Sequence, residues 1–409
     1  MTEPATANEI RLTARASDRS IAYDYRIDGP WREAFHIDRI TGWFAEAGNG
    51  IHTFFAEYEQ EIADVPPSVA VIPFVCNLMP IAWLYDATVH VDEIDARFLE
   101  SLAHVRQAYA DMYPGFAFRG RVAAGKIVDN RLNRPQAPPL VLFSGGVDAV
   151  FTMLGNRALR PTLLTVWGAD MFFKHAAAWE KVKEQNRQLA AAWDCDFTTI
   201  ASSFRLFLNY AVLNEKFGKP VKDNWWHGFQ HGVGLLGLAA PLAWVRRADH
   251  VIISSSYSSH DPFVTLCASD PSIDSALRFF DATCRHYDYT VTRQRKVAFI
   301  CREAEAFKRE VPLRVCWETA TGRNCGVCDK CMRTLFAIHG EGADPQQFGF
   351  TMTAAKLEEI TAKLKSGGVK PTAFWSDIVG KLREREAEWR RVPHVAALLD
   401  LFPARNAAA

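Results

Sequence analysis

Two short stretches of this chain carry residue types at spacings that chemistry requires. In CWETATGRNCGVCDKCMRT, residues Cys316, Cys325, Cys328 and Cys331 are separated by eight, two and two residues. Four thiolates at such intervals can close a tetrahedron around zinc, with a turn at Gly326 letting consecutive cysteines point inward. Iron–sulfur clusters also take four cysteines, so the ligand set alone leaves the metal open. If all four bind, no position remains for water, and the metal is expected to be structural. The alternative, four unliganded thiols this close together, would be a redox liability in the cytosol.

The second stretch is LVLFSGGVDAVF, residues 140–151. An apolar run stops at a Ser-Gly-Gly turn, and Val147 and Asp148 lead into a helical pattern. A glycine pair directly after a buried strand lets backbone amides turn inward. The partial positive charge of the helix N-terminus adds to them, so the geometry favours an anion. Ser144 contributes a hydroxyl donor. Asp148 would repel a phosphate unless it caps the helix or holds a metal ion that the phosphates share. An ordinary strand-turn-helix link is the competing reading. The Lys and Ser/Thr of a Walker loop are missing after the glycines. A second pattern, GVGLLG at 232–237, matches G-x-G-x-x-G but follows NWWHGFQH instead of a strand. Small residues for close helix packing explain it better than a dinucleotide site.

The elements that must hold these stretches show in the periodicity. LVLF, TLLTV, DFTTIA and HVIISSS read as buried strands, and VDAVFTMLGNR and KHAAAWEKVKEQNRQLAAAW as helices. This alternation predicts an α/β fold, a parallel sheet sandwiched by helices. Residues 1–136 read as an N-terminal α+β domain whose role the sequence does not name. It has strands at SVAVIPFV (68–75) and VHV (89–91), a helix in EIDARFLESLAHVRQAYADMY, and a polar, proline-containing linker, VDNRLNRPQAPP, at its end. Residues 137–340 hold both chemical stretches. Residues 341–409 read as a helical C-terminal extension through AAKLEEITAKLKS, SDIVGKLREREAEWRR and PHVAALLDLF.

The 409 residues suffice to bury a large core without disulfides, and 47 basic against 47 acidic residues give no electrostatic argument for a nucleic-acid partner. The opening residues lack a secretory pattern and the longest apolar run, 232–245, is too short to span a bilayer. A soluble, cytoplasmic protein without a membrane partner is expected. Five scattered cysteines, Cys76, Cys195, Cys267, Cys284 and Cys301, read as small apolar core residues.

Taken together, the SGGVD turn after a strand and the C-x8-C-x2-C-x2-C cluster resemble the 7-cyano-7-deazaguanine synthase branch of the PP-loop (N-type) ATP pyrophosphatase superfamily, over roughly residues 139–340. The resemblance implies an adenine nucleotide alpha hydrolase-like fold, ATP and Mg2+ as cofactors, and a structural Zn2+. In that branch, which serves queuosine biosynthesis, a heterocyclic carboxylate is adenylated with loss of pyrophosphate. Ammonia then displaces AMP to give an amide, and further activation leads to a nitrile.

Carried over by position, Ser144, Gly145, Gly146, Val147 and Asp148 form the phosphate loop, with Asp148 close to magnesium, and the four clustered cysteines bind zinc. Lys296, and after it Arg293, in TRQRKVAFI stand for the family's phosphate-reaching lysine; the alternative for both is solvated helix charge. Trp167 and Gly168 in TVWGAD lie where this fold places adenine. His260 and Asp261 are candidates for substrate contact, although a His-Asp pair in a loop is more often a turn feature.

Two departures stand out. Ala149 replaces the family's serine, a loss of about 1 kcal/mol if one neutral hydrogen bond to phosphate is missing. The N-terminal block has no counterpart in the compact synthase, so the substrate is free to differ. The expectation is an AMP- and pyrophosphate-forming carbon–nitrogen ligase joining a small-molecule or peptide carboxylate to ammonia or an amine, similar to members found in modification and defence systems. The N-terminal domain would offer a surface for a second copy or a protein partner. Two rivals remain: a tRNA-modifying sulfur transferase of the same superfamily, and a catalytically decayed zinc- and ATP-binding subunit.

Overall fold

Apolar runs without polar alternation become the middle of a sheet, and alternating ones become its flank. Strand β6 (Leu140–Leu142) is buried at every position and β7 (Thr162–Trp167) at its first four. In contrast, β1 (Glu9–Ser17) and β2 (Ser20–Asp28) alternate buried and solvated residues, as strands covered on one face do. The computed structural model describes residues 7–36, 53–132, 137–261, 265–316, 318, 321–369 and 372–403.

The remaining strands are β3 (Ala56–Tyr58), β4 (Thr88–Asp95), β5 (Arg121–Val128), β8 (Asp196–Ser202), β9 (His250–Ser254), β10 (Arg278–Phe279) and β11 (Ala282–Tyr287). All eleven form one sheet in the order β10-β11-β9-β6-β7-β8-β3-β2-β1-β4-β5. The segment β11-β9-β6-β7-β8 is parallel, as expected. The sheet as a whole is mixed, because β3 joins β8 and β2 antiparallel and β1 joins β2 antiparallel. The strands of residues 1–136 therefore extend the central sheet through the β3–β8 pairing, and one hydrophobic core runs beneath both parts.

Helix α1 (Ile72–Leu84) corrects one expectation. SVAVIPFV is not a strand: Pro67–Ala70 is a short helix and Ile72 starts a longer one. Every residue of α1 from Ile72 to Trp83 is buried, and a helix buried all round has no amphipathic period to separate it from a buried strand. The VHV strand and the following helix, α2 (Ala96–Met112), form as read. In the expected linker, Leu132 donates its amide to Asp281 and Asn130 is buried against Asp95 and Ser68; residues 133–136 lie outside the described residues.

Three more helices flank the parallel segment: α3 (Val147–Asn156), α4 (Ala176–Ala192) and α5 (His231–Leu238). GVGLLG lies inside α5, against α1. A Cβ on Gly237 would sit 2.3 Å from the Cys76 Cβ, and one on Gly234 would sit 2.5 Å from Asn77 Oδ1. The glycines are there to let two helices touch. A second core, on the other face of the sheet, joins α3 to α6 (Arg293–Phe307), α7 (Asp329–Gly340) and the C-terminal helices α8 (Ala354–Lys365), α9 (Ala373–Arg383) and α10 (Pro393–Leu401).

The connectivity decides where a ligand can sit. From β6 the chain steps through β7 to β8 on one side, then returns to place β9 on the other side of β6. Connections leaving the carboxyl ends of β6 and β9 diverge, and in open parallel sheets the crevice at such a switch point is where ligands bind. Ser144 follows β6 and Ser255 follows β9, so the glycine turn lies on that crevice.

Candidate functional site

The four cysteines come together as their spacing predicts. Cys316 and Cys328 place their sulfurs 3.9 Å apart, as do Cys325 and Cys331, and all four sulfurs lie within 4.8 Å of one another. A tetrahedral zinc with Zn–S bonds of about 2.3 Å puts sulfurs about 3.8 Å apart along each edge. A multi-iron cluster would hold its thiolates farther apart, because the inorganic core lies between them. The set thus fits one tetrahedral ion such as zinc.

Local chemistry prepares the cysteine loop. Gly326 takes a φ of 80°, turning the chain so that Cys328 N donates to Cys325 Sγ at 3.2 Å and Cys331 N to Cys328 Sγ at 3.4 Å. Hydrogen bonding from Cys331, together with its amide, lowers the Cys328 thiol to about 5, which favours a thiolate. Asn324 ties the distant ligand to this loop: its Oδ1 accepts from Val315 N at 2.9 Å and its Nδ2 donates to Leu313 O at 2.8 Å. Cys328 is also the N-cap of α7, so the cysteine loop sets where that helix begins.

The glycine turn forms the strand-turn-helix expected of it. Gly145 has a φ of 78°, and its carbonyl accepts from Arg314 N at 2.8 Å. Gly146 caps α3 with no side-chain hydrogen bond to the helix amides, and its own amide approaches Ser144 Oγ at 3.3 Å. The first amides of α3 are thus not taken by a capping side chain. Ala149, which follows Asp148, is buried in the core on this face of the sheet.

Around the turn, cations outnumber acids. Asp148 Oδ2 accepts from Arg293 Nη2 at 2.7 Å, and Oδ1 from Lys296 Nζ at 3.1 Å. Burial pushes the Asp148 carboxyl up, but Arg293 and Lys296 outweigh it and hold the group below its ordinary value. Lys296 is only 1 % exposed and also donates to Ser255 O across the switch point. It is therefore no solvated helix charge.

Asp170 is a second acid, set just past β7. Crowding by the surrounding protein would raise its carboxyl although its side chain reaches solvent, and Lys330, Arg205, His231 and Arg314 together lower it. Burial lowers the charged forms of Lys330 and Arg314 in turn, and brings His231 down to about 4. Two carboxylates therefore face Arg293, Lys296, Arg205, Arg314 and Lys330, which leaves the site net positive beside a helix N-terminus.

Several donors here have no acceptor among the described residues. Trp167 Nε1 and Arg293 Nε are buried without one, and His231 Nδ1 is likewise unpaired. Trp167 stacks on Trp179, with ring centroids 5.2 Å apart and planes within 5°. Gly168 has a φ of 101°, and a Cβ there would meet Ser202 O at 2.0 Å, so only glycine fits. His260 is exposed. Asp261 Oδ2 accepts from Ser258 N at 2.9 Å within its own turn, and residues 262–264 lie outside the described ones.

Sequence reading missed Asp170, Arg205, Arg314 and Lys330. Two of them left a trace: Asp170 ends the TVWGAD stretch, and Lys330 sits between two of the clustered cysteines. Arg205 and Arg314 left none, since only the fold brings them to the turn. Phe374 and Asp377 of α9 also line a small cavity with Arg293 and Arg333, so the C-terminal extension reaches the site. Among the described residues no helix is long and apolar enough to cross a membrane. Compared with protein-family models, with curated proteins and with solved structures, the chain gives no match.

Proposed function

We propose that this protein is an ATP-dependent carbon–nitrogen ligase of the PP-loop type, which adenylates a carboxylate and passes the acyl group to ammonia or an amine. The observation that supports it most is the net positive crevice at the switch point, where the SGGVD turn, the start of α3, buried Lys296 and half-buried Arg314 and Lys330 converge. A triphosphate carries the charge such a crevice lacks. The unpaired indole N–H of Trp167, at the end of β7, gives an adenine a donor to meet.

In this reading the amides of Gly145, Gly146 and Val147 and the Ser144 hydroxyl hold the phosphates. Arg314 and Lys330 offset the charge that grows on the departing pyrophosphate. Magnesium takes oxygen ligands, and an ionised Asp148 beside the phosphates suits it; when bound, it would neutralise the phosphate oxygens. Lys296 and Arg293 orient the Asp148 carboxylate, and Lys296 spans from it to the β9 end. The carboxylate oxygen of the substrate attacks the α-phosphorus and pyrophosphate leaves. The amine then attacks the acyl carbon and AMP leaves. Holding these partners in line is most of the enzyme's task.

Incubation with ATP, Mg2+, ammonia and a 7-deazaguanine carboxylate, followed by mass analysis of the nucleotides, tests this reading. AMP and pyrophosphate are the expected products. ADP would contradict the bond cleaved, and tight ATP binding with no AMP from any acid would leave a nucleotide-binding subunit.

A further inference from the structure

The eleven-stranded sheet ends on β5, an eight-residue strand that pairs on one side only, parallel to β4. Among the described residues no strand takes up its outer N–H and C=O groups, and an edge of this length is a template for another chain. Proteins blunt such edges with proline, a bulge or a row of charge. β5 has no proline, and its pairing with β4 keeps one register from Arg121 to Val128, without a bulge. Its one lysine, Lys126, is held to its own sheet by Glu93 at 3.2 Å. Ile127 is 59 % exposed, more than any other large apolar side chain described.

Symmetry limits how a second copy of this strand can dock. Two identical edges meeting about a two-fold axis run antiparallel, and residues directly opposite each other share a face of the sheet. The axis must then pass through a single residue. At Lys126 two like charges would oppose each other, which is unfavourable. At Ala124, Val122 would meet Lys126 and Arg121 would meet Ile127, setting charge against apolar surface. At Ala123 the overlap stops at Gly125 and leaves Ile127 uncovered. At Gly125 each residue finds a compatible partner. Val122 lies opposite Val128 of the second copy, Ala123 opposite Ile127, Ala124 opposite Lys126, and Arg121 opposite Asp129.

This last register continues what the sheet already does. Val122 stands beside Val89 and Ala124 beside Val91, and both β4 residues are buried, so a Val122–Val128 pair would extend an apolar face that is already covered. On the axis two glycines face each other, and no side chain obstructs the approach of the main chains. Arg121 and Asp129 are exposed at the two ends of the strand. Hydrogen bonds from Arg131 hold the Asp129 carboxyl down at about 2, so it is charged when the second copy arrives. Two-fold symmetry makes each of these pairs twice.

We propose that β5 pairs antiparallel with β5 of a second copy about an axis at Gly125, joining two eleven-stranded sheets into one. The crevice is untouched by this, because six strands separate β5 from β6, and each copy keeps its own site far from the axis. The dimer therefore stands whether or not the crevice binds a triphosphate.

Sedimentation velocity on the full-length protein tests the proposal. A monomer–dimer equilibrium is expected between about 1 and 100 μM, the range of a modest interface. Exchange of the β5 amides should slow as the dimer forms. Ile127→Lys, at an exposed position that the monomer's fold does not need, should weaken association about tenfold at an unchanged Tm. Arg121→Asp and Asp129→Arg should each weaken it by a similar factor, and the double variant, which exchanges the two charges, should regain most of the loss. A monomer at every concentration would overturn the proposal. So would a dimer that ignores all three substitutions, since its contact would lie elsewhere. Single variants that weaken the dimer without recovery in the double one would overturn the axis at Gly125.

Discussion

The four cysteines occupy sixteen consecutive positions and meet through one loop and one helix start, whereas the groups around Asp148 arrive from residues 144 to 330 along most of the parallel sheet. The cysteine site is closed: its ligands face each other, and its backbone amides serve their sulfurs. The Asp148 site is open in charge, with cations in excess and donors lacking acceptors. A closed set of four thiols can complete a metal's ligand shell without the rest of the fold, whereas an excess of cations leaves a charge that an anion could balance. The two are joined by one short step, since Lys330 lies between Cys328 and Cys331 and points its charge at Asp170 and Asp148.

The largest expected effect probes the closed site. Cys328→Ser should lose zinc stoichiometry by elemental analysis and cost about half of the roughly 10 kcal/mol that a structural zinc supplies, read as a lower Tm. A full metal complement, or a wild-type Tm unchanged by a strong chelator, would remove the metal from this account. Because Lys330 rides on the same loop, the metal-stripped protein should also bind ATP more weakly, and equal affinity would break the link between the two sites.

Next in size is Asp148→Ala. It leaves the buried Lys296 without its carboxylate, a loss of about 3 kcal/mol in urea unfolding, and it should abolish pyrophosphate release. Zinc content should stay at the wild-type level. A variant that turns over normally would take Asp148 out of the mechanism.

A smaller effect concerns the seam that docks the C-terminal extension. His339 Nε2 and His394 Nε2 are 3.2 Å apart, and burial brings each ring down to about 4. A histidine whose folded pKa is depressed stabilises the neutral form. This stability is complete above the unfolded value near 6.5 and is lost as pH falls from there towards 4. Unfolding free energy should fall steadily as pH drops through that window, and His394→Gln should flatten the slope. The same slope in variant and wild type would assign it to other groups.

The smallest is Ala149→Ser, which places a hydroxyl directly after Asp148. Because Ala149 is buried in the core, the change should alter ATP affinity by less than about 1 kcal/mol by calorimetry. A tenfold gain would show that the hydroxyl reaches the phosphates from this helix after all.

The sequence by itself determined what depends on neighbours along the chain. The C-x8-C-x2-C-x2-C spacing already specified the sulfur tetrahedron, because three of its ligands lie within seven residues and a single glycine turn aims them. Likewise LVLF followed by SGG specified a strand, a left-handed glycine and a helix start, and the alternation of β6 to β9 with helices specified the parallel segment. Only the tertiary structure decided the rest. SVAVIPFV became helix because burial on every side erased its period, and residues 1–136 became the far flank of the same sheet through β3, three residues long. Arg205, Arg314 and Lys330 reach Asp170 because parallel strands bring their carboxyl ends to one edge, which no local pattern records. Long-range charge has no periodicity to read: its energy depends on distance through space and on burial, and both exist only once the chain has folded.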